Sequence, residues 1–251
     1  FSGSDFSDAI LQNADLRKAN LKRAILMNSD LSSAQLQEAN LLEAVLEGAD
    51  LTQAQLQRAV LVKVSAKGAL FTLAALTGAS LQGADLSGAD LSKALLGKAN
   101  LTEANLSEAS LQGAVGHKLI ADRADFTKVR AGSANFGESQ FRHLKGAGSI
   151  WIQSNLFRAD FSDSLLEGAL FSSAYLCQAR FAKADLKRAR MDGANLRKAN
   201  LIRIHFLQGS FQKANLTSAD LGESNLFQAE FYEAVTKDAS SAARKRMTAA
   251  C

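Results

Sequence analysis

The sequence predicts an all-β tube, a chain wound in short straight sides around a single apolar core. Three observations predict it. Large apolar residues recur at every fifth position from Phe1 to Phe231 without loss of phase, and of these 47 sites 28 are Leu, 12 are Phe, and Met191 and Trp151 fill two more. The position two residues earlier is nearly always Ala or Ser, as at Ala14, Ala19 and Ala24. The other three positions of each quintet are polar, charged or Gly. A five-residue step advances about 140° around an α-helix and smears the leucines over its surface. In a flat strand an odd step throws successive leucines onto opposite faces. Neither element buries this pattern on one side, so the chain must place two residues inward, turn a corner and begin again.

The corners have their own signature. Asp or Asn often stands just before the large residue, as at Asp15, Asn20, Asp85, Asp90, Asn195 and Asn200. Such side chains bond to nearby backbone and favour turns. Only Ala66, Gly116, Ala121, Ala131 and Gly146 break the five-residue rule. Four of them follow a large neighbour two residues earlier (Val64, Leu119, Val129 and Leu144), as expected if an enclosed core keeps its volume. Gly116, preceded by Ala114, lacks that compensation, and Ile204 before Phe206 errs the other way. A short register change near Leu119 explains part of this equally well. Four of the five breaks fall within 114–153. That stretch reads as a local distortion or bend rather than a linker, because the beat returns in phase.

The motif Ala-(Asp/Asn)-Leu-x-x, clear at Ala14-Asp15-Leu16, Ala19-Asn20-Leu21, Ala84-Asp85-Leu86, Ala89-Asp90-Leu91 and Ala199-Asn200-Leu201, resembles the pentapeptide-repeat family. The resemblance covers about nine tenths of the chain. It implies a right-handed quadrilateral β-helix of about 11–12 coils, four five-residue sides to a coil, with repeats over 1–235. Residues 20 apart then stack as neighbours, where opposite charges help by a few tenths of a kcal/mol. Lys18, Glu38 and Arg58 alternate in sign, as do Arg23, Glu43 and Lys63, and Glu103 sits 20 before Arg123. Ala131 lies under Trp151, a small residue below the largest one.

Composition is consistent with one elongated unit. The chain has no Pro, whose missing N–H would interrupt bonding between coils. No apolar run is long enough for a membrane span, so insertion is not expected. Cys177 and Cys251 make no disulfide framework; free thiols are the expected reading, the compartment stays open and the cytoplasm is mildly favoured. The chain begins mid-pattern at Phe1 and reads as a piece of a longer polypeptide. After Phe231 the beat fades, and 236–251, containing "KDASSAARKRMTAAC", reads as a short helical cap or tail covering the last coil. The opposite end has no such cap, so upstream residues or a second copy would protect it, which admits a homodimer through an uncapped coil end.

Chemistry is harder to find. His117, His143 and His205 fall in different columns, and no Cys/His spacing matches a zinc site. Phosphate-loop and nucleophile-elbow patterns are absent. No catalytic, cofactor-binding or metal-binding residues are therefore assigned. Partner surfaces carry more weight. Apolar residues expected to point outward stack at 20-residue spacing: Ile25 with Val45, Leu95 with Val115, and Ile150 with Leu170. The last pair is the favoured interface because Arg130 and Arg190 flank it in the same column. A second candidate is the basic group Arg180, Lys183, Lys187, Arg188, Arg190, Arg197, Lys198 and Arg203, opposed locally by Asp185 and Asp192. It would belt all four sides, as a solvated belt or as a site for an acidic partner.

The resemblance also implies candidate functions. Certain relatives present a strongly acidic rod that occupies the DNA site of gyrase and confers quinolone resistance; others are bacterial effectors or cyanobacterial proteins in which the rod serves as a scaffold. A DNA mimic must imitate a dense line of phosphates. This chain has 29 basic against 25 acidic residues, and its acidic column Asp30, Asp50 and Asp90 is interrupted by Leu70. Mimicry and nucleic-acid binding are therefore disfavoured. The expected function is a non-catalytic scaffold binding another protein, with the gyrase-binding mimic second and a substrate-presenting domain of an effector enzyme third.

Overall fold

Residues 11–14 show how one corner forms. The Ala14 amide donates to the Leu11 carbonyl at 3.0 Å, and Asn13 between them adopts φ 60°, a tight turn with its third residue left-handed. In the computed structural model, which describes residues 1–240, this corner recurs in every quintet. The left-handed site is filled by Lys, Glu, Arg and Gln as well as Gly. A side chain there costs about 1 kcal/mol. The same residue's amide helps to offset it by reaching the next coil, as Asn13 does to the Ser32 carbonyl at 3.0 Å.

The sides between corners pair in parallel with those 20 residues on. Leu16 donates to Gln35 at 2.8 Å and Gln35 donates back to Ala14 at 2.9 Å. Such bridges run from Asp5↔Ile25 to Asn215↔Val235 without a slip. Four sides per coil and parallel pairing make a right-handed quadrilateral β-helix, about 55 Å long at strand spacing. We number its faces by their central columns: face 1 carries residues 5, 25, 45 and onward; face 2 carries 10, 30, 50; face 3 carries 15, 35, 55; face 4 carries 20, 40, 60. The Asp and Asn residues of these columns accept the amide two residues ahead, as Asp30 does from Ser32 at 2.9 Å and Asn100 from Thr102 at 3.0 Å. That amide would otherwise lack a partner within the corner.

The interior holds the large residue of each quintet and the small residue two before it, both buried from Leu21 through Leu221 with few exceptions. Leu119 introduces no register change: Val115↔Asn135 and Ile120↔Gln140 continue the same pairing. The compensation missing at Gly116 comes from the next coil, because a Cβ there would lie 2.6 Å from Phe136 Cδ1. Three bulky residues at the small position, Leu119, Leu144 and Ile204, are each accommodated by a serine one coil on. Ser139 Oγ accepts the Leu119 amide at 3.1 Å and donates to the Gly116 carbonyl at 2.8 Å. Ser164 serves Leu144 and Phe141 in the same way, and Ser224 serves Ile204 and Leu201.

Of the stacked charges, Lys18 and Glu38 pair at 3.8 Å, Arg58 and Glu38 at 4.0 Å, Arg23 and Glu43 at 2.7 Å and Arg123 and Glu103 at 3.6 Å, whereas Lys63 does not come within ion-pair distance of Glu43. The expected C-terminal helix needs correction where it is described. Residues 236–240 make one more corner: Ala239 donates to Thr236 at 3.1 Å and Ser240 to Ala219 at 3.1 Å. The inward position is filled by Thr236 instead of a large apolar residue, which is why the beat fades in the sequence while the backbone continues. The rest of that expected helix, 241–251, lies outside the described residues.

Candidate interaction surface

Face 2 has the most ordered outward chemistry. Its central column reads Ile10, Asp30, Asp50, Leu70, Asp90, Ser110, Arg130, Ile150, Leu170, Arg190, Ser210 and Glu230. Its first half is acidic around Leu70, and its second half is basic around Ile150 and Leu170. One edge is bare of its own side chains where these apolar residues stand, because the corner positions beside them are Gly68, Gly148 and Gly168; Gly48 stands in the same way beside Asp50. A Cβ at Gly68 or Gly168 would meet nothing within 4 Å. The other edge carries Ser32, Thr52, Thr72 and Ser92 opposite the acidic half, and Gly132, Ile152 and Ser172 opposite the basic half.

The aspartates are tied to the backbone beside them. Asp30, Asp50 and Asp90 accept the amides of Ser32, Thr52 and Ser92 at 2.9, 2.8 and 2.9 Å. The Ser32 hydroxyl and amide hold the Asp30 carboxyl below the usual carboxylate range. Burial pushes Asp90 up, but bonds from Ser92 and Thr72 and the charge of Arg130 outweigh it and hold Asp90 low. On the basic half Arg130 is exposed with no carboxylate within ion-pair distance among the described residues, while Arg190 Nε reaches Asp192 at 2.8 Å.

The column expected from sequence is thus formed: Arg130, Ile150, Leu170 and Arg190 are consecutive neighbours on face 2. Ile150 and Leu170 are half-buried, pressed between the coils above and below. More exposed apolar residues lie elsewhere. Leu70, on the same face, is 41% exposed and Leu73 beside it 46%. The sequence presents Leu70 only as an interruption of an acidic column; the glycine edge that opens it to solvent is visible once residues 20 apart are stacked.

The basic belt is dispersed and largely neutralised. Arg180 lies on face 4 and Arg190 on face 2; Lys183, Lys187, Arg188, Arg197, Lys198 and Arg203 occupy corners. Asp185 and Asp192 pair with Lys187 and Arg190 at 3.4 and 2.8 Å. Adjacent coils supply the other partners: Asp160 for Arg180 at 3.7 Å, Glu167 for Arg188, and Glu223 for Arg203 at 2.8 Å. The Arg203 guanidinium holds the Glu223 carboxyl below its ordinary value. Lys183, Arg197 and Lys198 have no carboxylate partner among the described residues.

Two other features stand outside the sequence expectation. On the rim of face 3, Phe157 and Tyr175 stack at 6.1 Å and the Arg158 guanidinium lies 4.8 Å over the Phe157 ring. At the corner between faces 4 and 1 a cleft of about 280 Å³ is lined by Thr102, Asp122, Arg123, Arg142 and His143. Its arginines are engaged, Arg142 by a forked bond to Asp122 and Arg123 by Glu103 at 3.6 Å. Among the described residues no group of His, Cys, Asp or Glu side chains is placed to hold a metal ion.

A closed square tube with its chemistry in outward columns defines a solenoid of the quadrilateral β-helix class. The model for pentapeptide repeats matches in 8 copies, over 1–32, 29–65, 54–92, 84–115, 94–137, 154–193 and 189–228, and the chain belongs to that family. It is similar to HetL, a pentapeptide repeat protein involved in heterocyst differentiation regulation from the cyanobacterium Nostoc sp. strain PCC 7120, with 29% identity and a TM-score of 0.62 over 91% of this chain and 92% of that one. A pentapeptide repeat protein of the Arabidopsis thaliana thylakoid lumen is 38% identical over 41% of this chain and 68% of its own, at a TM-score of 0.27. Trypsin-treated QnrB1, a plasmid-mediated fluoroquinolone resistance protein, is 19% identical over 76% of this chain and 94% of its own, at a TM-score of 0.41. The comparison with curated proteins gives no match.

Proposed function

We propose that the protein is a non-catalytic scaffold whose rod docks other proteins through face 2. The observation that carries this reading is the column itself. Apolar residues are framed by ionised or cationic neighbours on a flat, glycine-edged face, which gives an interface an apolar centre and a polar rim. The backbone beneath is spent in bonds between coils, so the face is held rigid and little ordering entropy is lost on docking. A gyrase-directed DNA mimic is disfavoured on charge, because Leu70 divides the aspartates of face 2 and the column turns basic beyond Ser110.

Replacing Ile150 and Leu170 together by Glu tests the reading. Both side chains sit outside the tube, so melting is expected to stay within a few degrees of the parent. Capture of partners from an extract of the source organism is expected to disappear. Capture unchanged by the double substitution would defeat the surface.

A further inference from the structure

The two halves of face 2 are complementary to each other, and we infer that the face pairs with the same face of a second copy, the two rods running antiparallel. The inference deepens the reading of face 2 as a docking surface by naming one occupant. Consider a two-fold axis lying in the interface across the rod at Ser110. Positions equally far from Ser110 along the column then meet. Asp90 faces Arg130 of the second copy, Leu70 faces Ile150, and Asp30 faces Arg190. Asp50 falls opposite Leu170, one coil from Arg190 of the second copy. Each contact occurs twice, as an isologous interface requires.

The flanks agree with this register. The axis keeps each edge of the face against the same edge of the second copy. Gly68 therefore meets Gly148 and Gly48 meets Gly168; a Cβ at Gly68 or Gly168 would meet nothing within 4 Å, while the Asn28 side chain leans over Gly48, where a Cβ would lie 2.6 Å from its Oδ1. On the other edge Thr72 meets Ile152, Ser92 meets Gly132 and Thr52 meets Ser172. Moving the axis by half a coil sets Asp90 against Ile150 and loses the match. Asp30 and Asp90 are held below the usual carboxylate range, and Arg130 arrives without a carboxylate at ion-pair distance among the described residues. From Asp30 to Arg190 the face is about 40 Å long and about 15 Å wide. It would bury about 1,200 Å² in total, the lower end for a specific pair, so a weak, salt-sensitive dimer is expected.

Sedimentation equilibrium of the full chain, from about 1 to about 200 μM, tests this. Mass is expected to climb toward twice the monomer value at low salt and to fall back at about 500 mM salt. Arg130→Glu with Arg190→Glu sets acid against acid and is expected to weaken pairing at least tenfold. Asp30→Arg with Asp90→Arg does the same with the signs reversed, at positions equivalent to those where the column already carries arginine. An equimolar mixture of the two variants is expected to restore pairing, because each then offers the charges the other lacks; that rescue also shows that both remain folded. A chain monomeric throughout, or a dimer indifferent to both charge sets (as one joined end to end would be), overturns the inference. A monomeric chain that still captures another protein through Ile150 and Leu170 overturns the pairing alone and leaves the docking function intact.

Discussion

Residues 76–111 and 116–151 each supply eight large positions, about two turns of the same tube, yet they fill it differently. In the first stretch every large position is Leu and every small position from Ala79 to Ala109 is Ala. In the second the large positions read Gly, Ala, Phe, Ala, Phe, Phe, Gly and Trp, with Leu119, Val129 and Leu144 at small positions. Both stretches keep the same pairing and both are buried. Core volume is therefore conserved across stacked coils, not within each quintet: Phe136 fills the space at Gly116, and Leu166 Cδ2 would lie 2.8 Å from a Cβ at Gly146. The polar atoms that this irregular packing brings inside are satisfied in place. Trp151 Nε1 donates to Ser149 Oγ at 2.7 Å, which donates to the Gly146 carbonyl at 2.7 Å. The leucine coils are nearly interchangeable, so sliding one coil along swaps Leu for Leu. The aromatic coils fit only their own neighbours and pin the register of the whole stack.

The largest effect that would break this contrast is Trp151→Ala. It empties the centre of a cluster in which Phe126 and Phe171 lie parallel to the indole at 5.8 and 6.1 Å. Loss of about 4 kcal/mol is expected by urea unfolding, against about 3 kcal/mol for Leu91→Ala in the leucine coils. Next comes Gly116→Leu, which restores the five-residue rule and should nevertheless destabilise by about 3 kcal/mol through overpacking against Phe136. Adding Phe136→Leu should recover most of that loss, a coupling that a double-mutant cycle reads directly. An uncoupled pair would mean that volume is fixed within each quintet after all.

The smallest effect sharpens the contrast at the surface. Several carboxylates held low by their neighbours lie in the leucine-rich half, among them Asp15, held to about 2 chiefly by its bonds from Arg17, and Glu43, held down by Arg23. A carboxyl whose folded value lies below its unfolded one, about 3.9 for Asp, adds stability above pH of about 4. It loses that contribution as pH falls toward the folded value. Carbon-detected titration should place the Asp15 midpoint near 2, rising in Arg17→Ala but staying below the ordinary range, because the amide of residue 17 still bonds the carboxylate.

Much of this was legible in the sequence. The five-residue phase follows from counting; the 20-residue stacking seen in Lys18–Glu38–Arg58 and the continuity of Arg130, Ile150, Leu170 and Arg190 follow once the family resemblance supplies four sides to a coil, because a solenoid maps sequence period directly onto space. The role of the column Asp and Asn residues was also readable, since their bond to the amide two residues on is local. Less legible was the depth of each outward residue. Ile150 and Leu170 carry the same apolar pattern as Leu95 and Val115, yet the first pair is half-buried and the second exposed, because neighbouring side chains on adjacent coils decide the cover. Leu73 gave no signal, being a large apolar residue in a left-handed corner position otherwise polar or Gly.

By itself, the order of residues determined the five-residue beat and a chain that turns a corner after each inward pair, since neither a helix nor a flat strand buries a large residue at each fifth position; four sides to the coil, and with them the columns, came with the family resemblance. What the folded structure alone decided was the traffic between coils: which ring fills which glycine's space, which carboxylate on an adjacent coil neutralises Arg180, Arg188 or Arg203, and how the glycine edge lays Leu70 open. Those outcomes depend on side chains leaning up or down the stack to share volume and charge with coils about 5 Å away, a direction to which a one-dimensional period is blind.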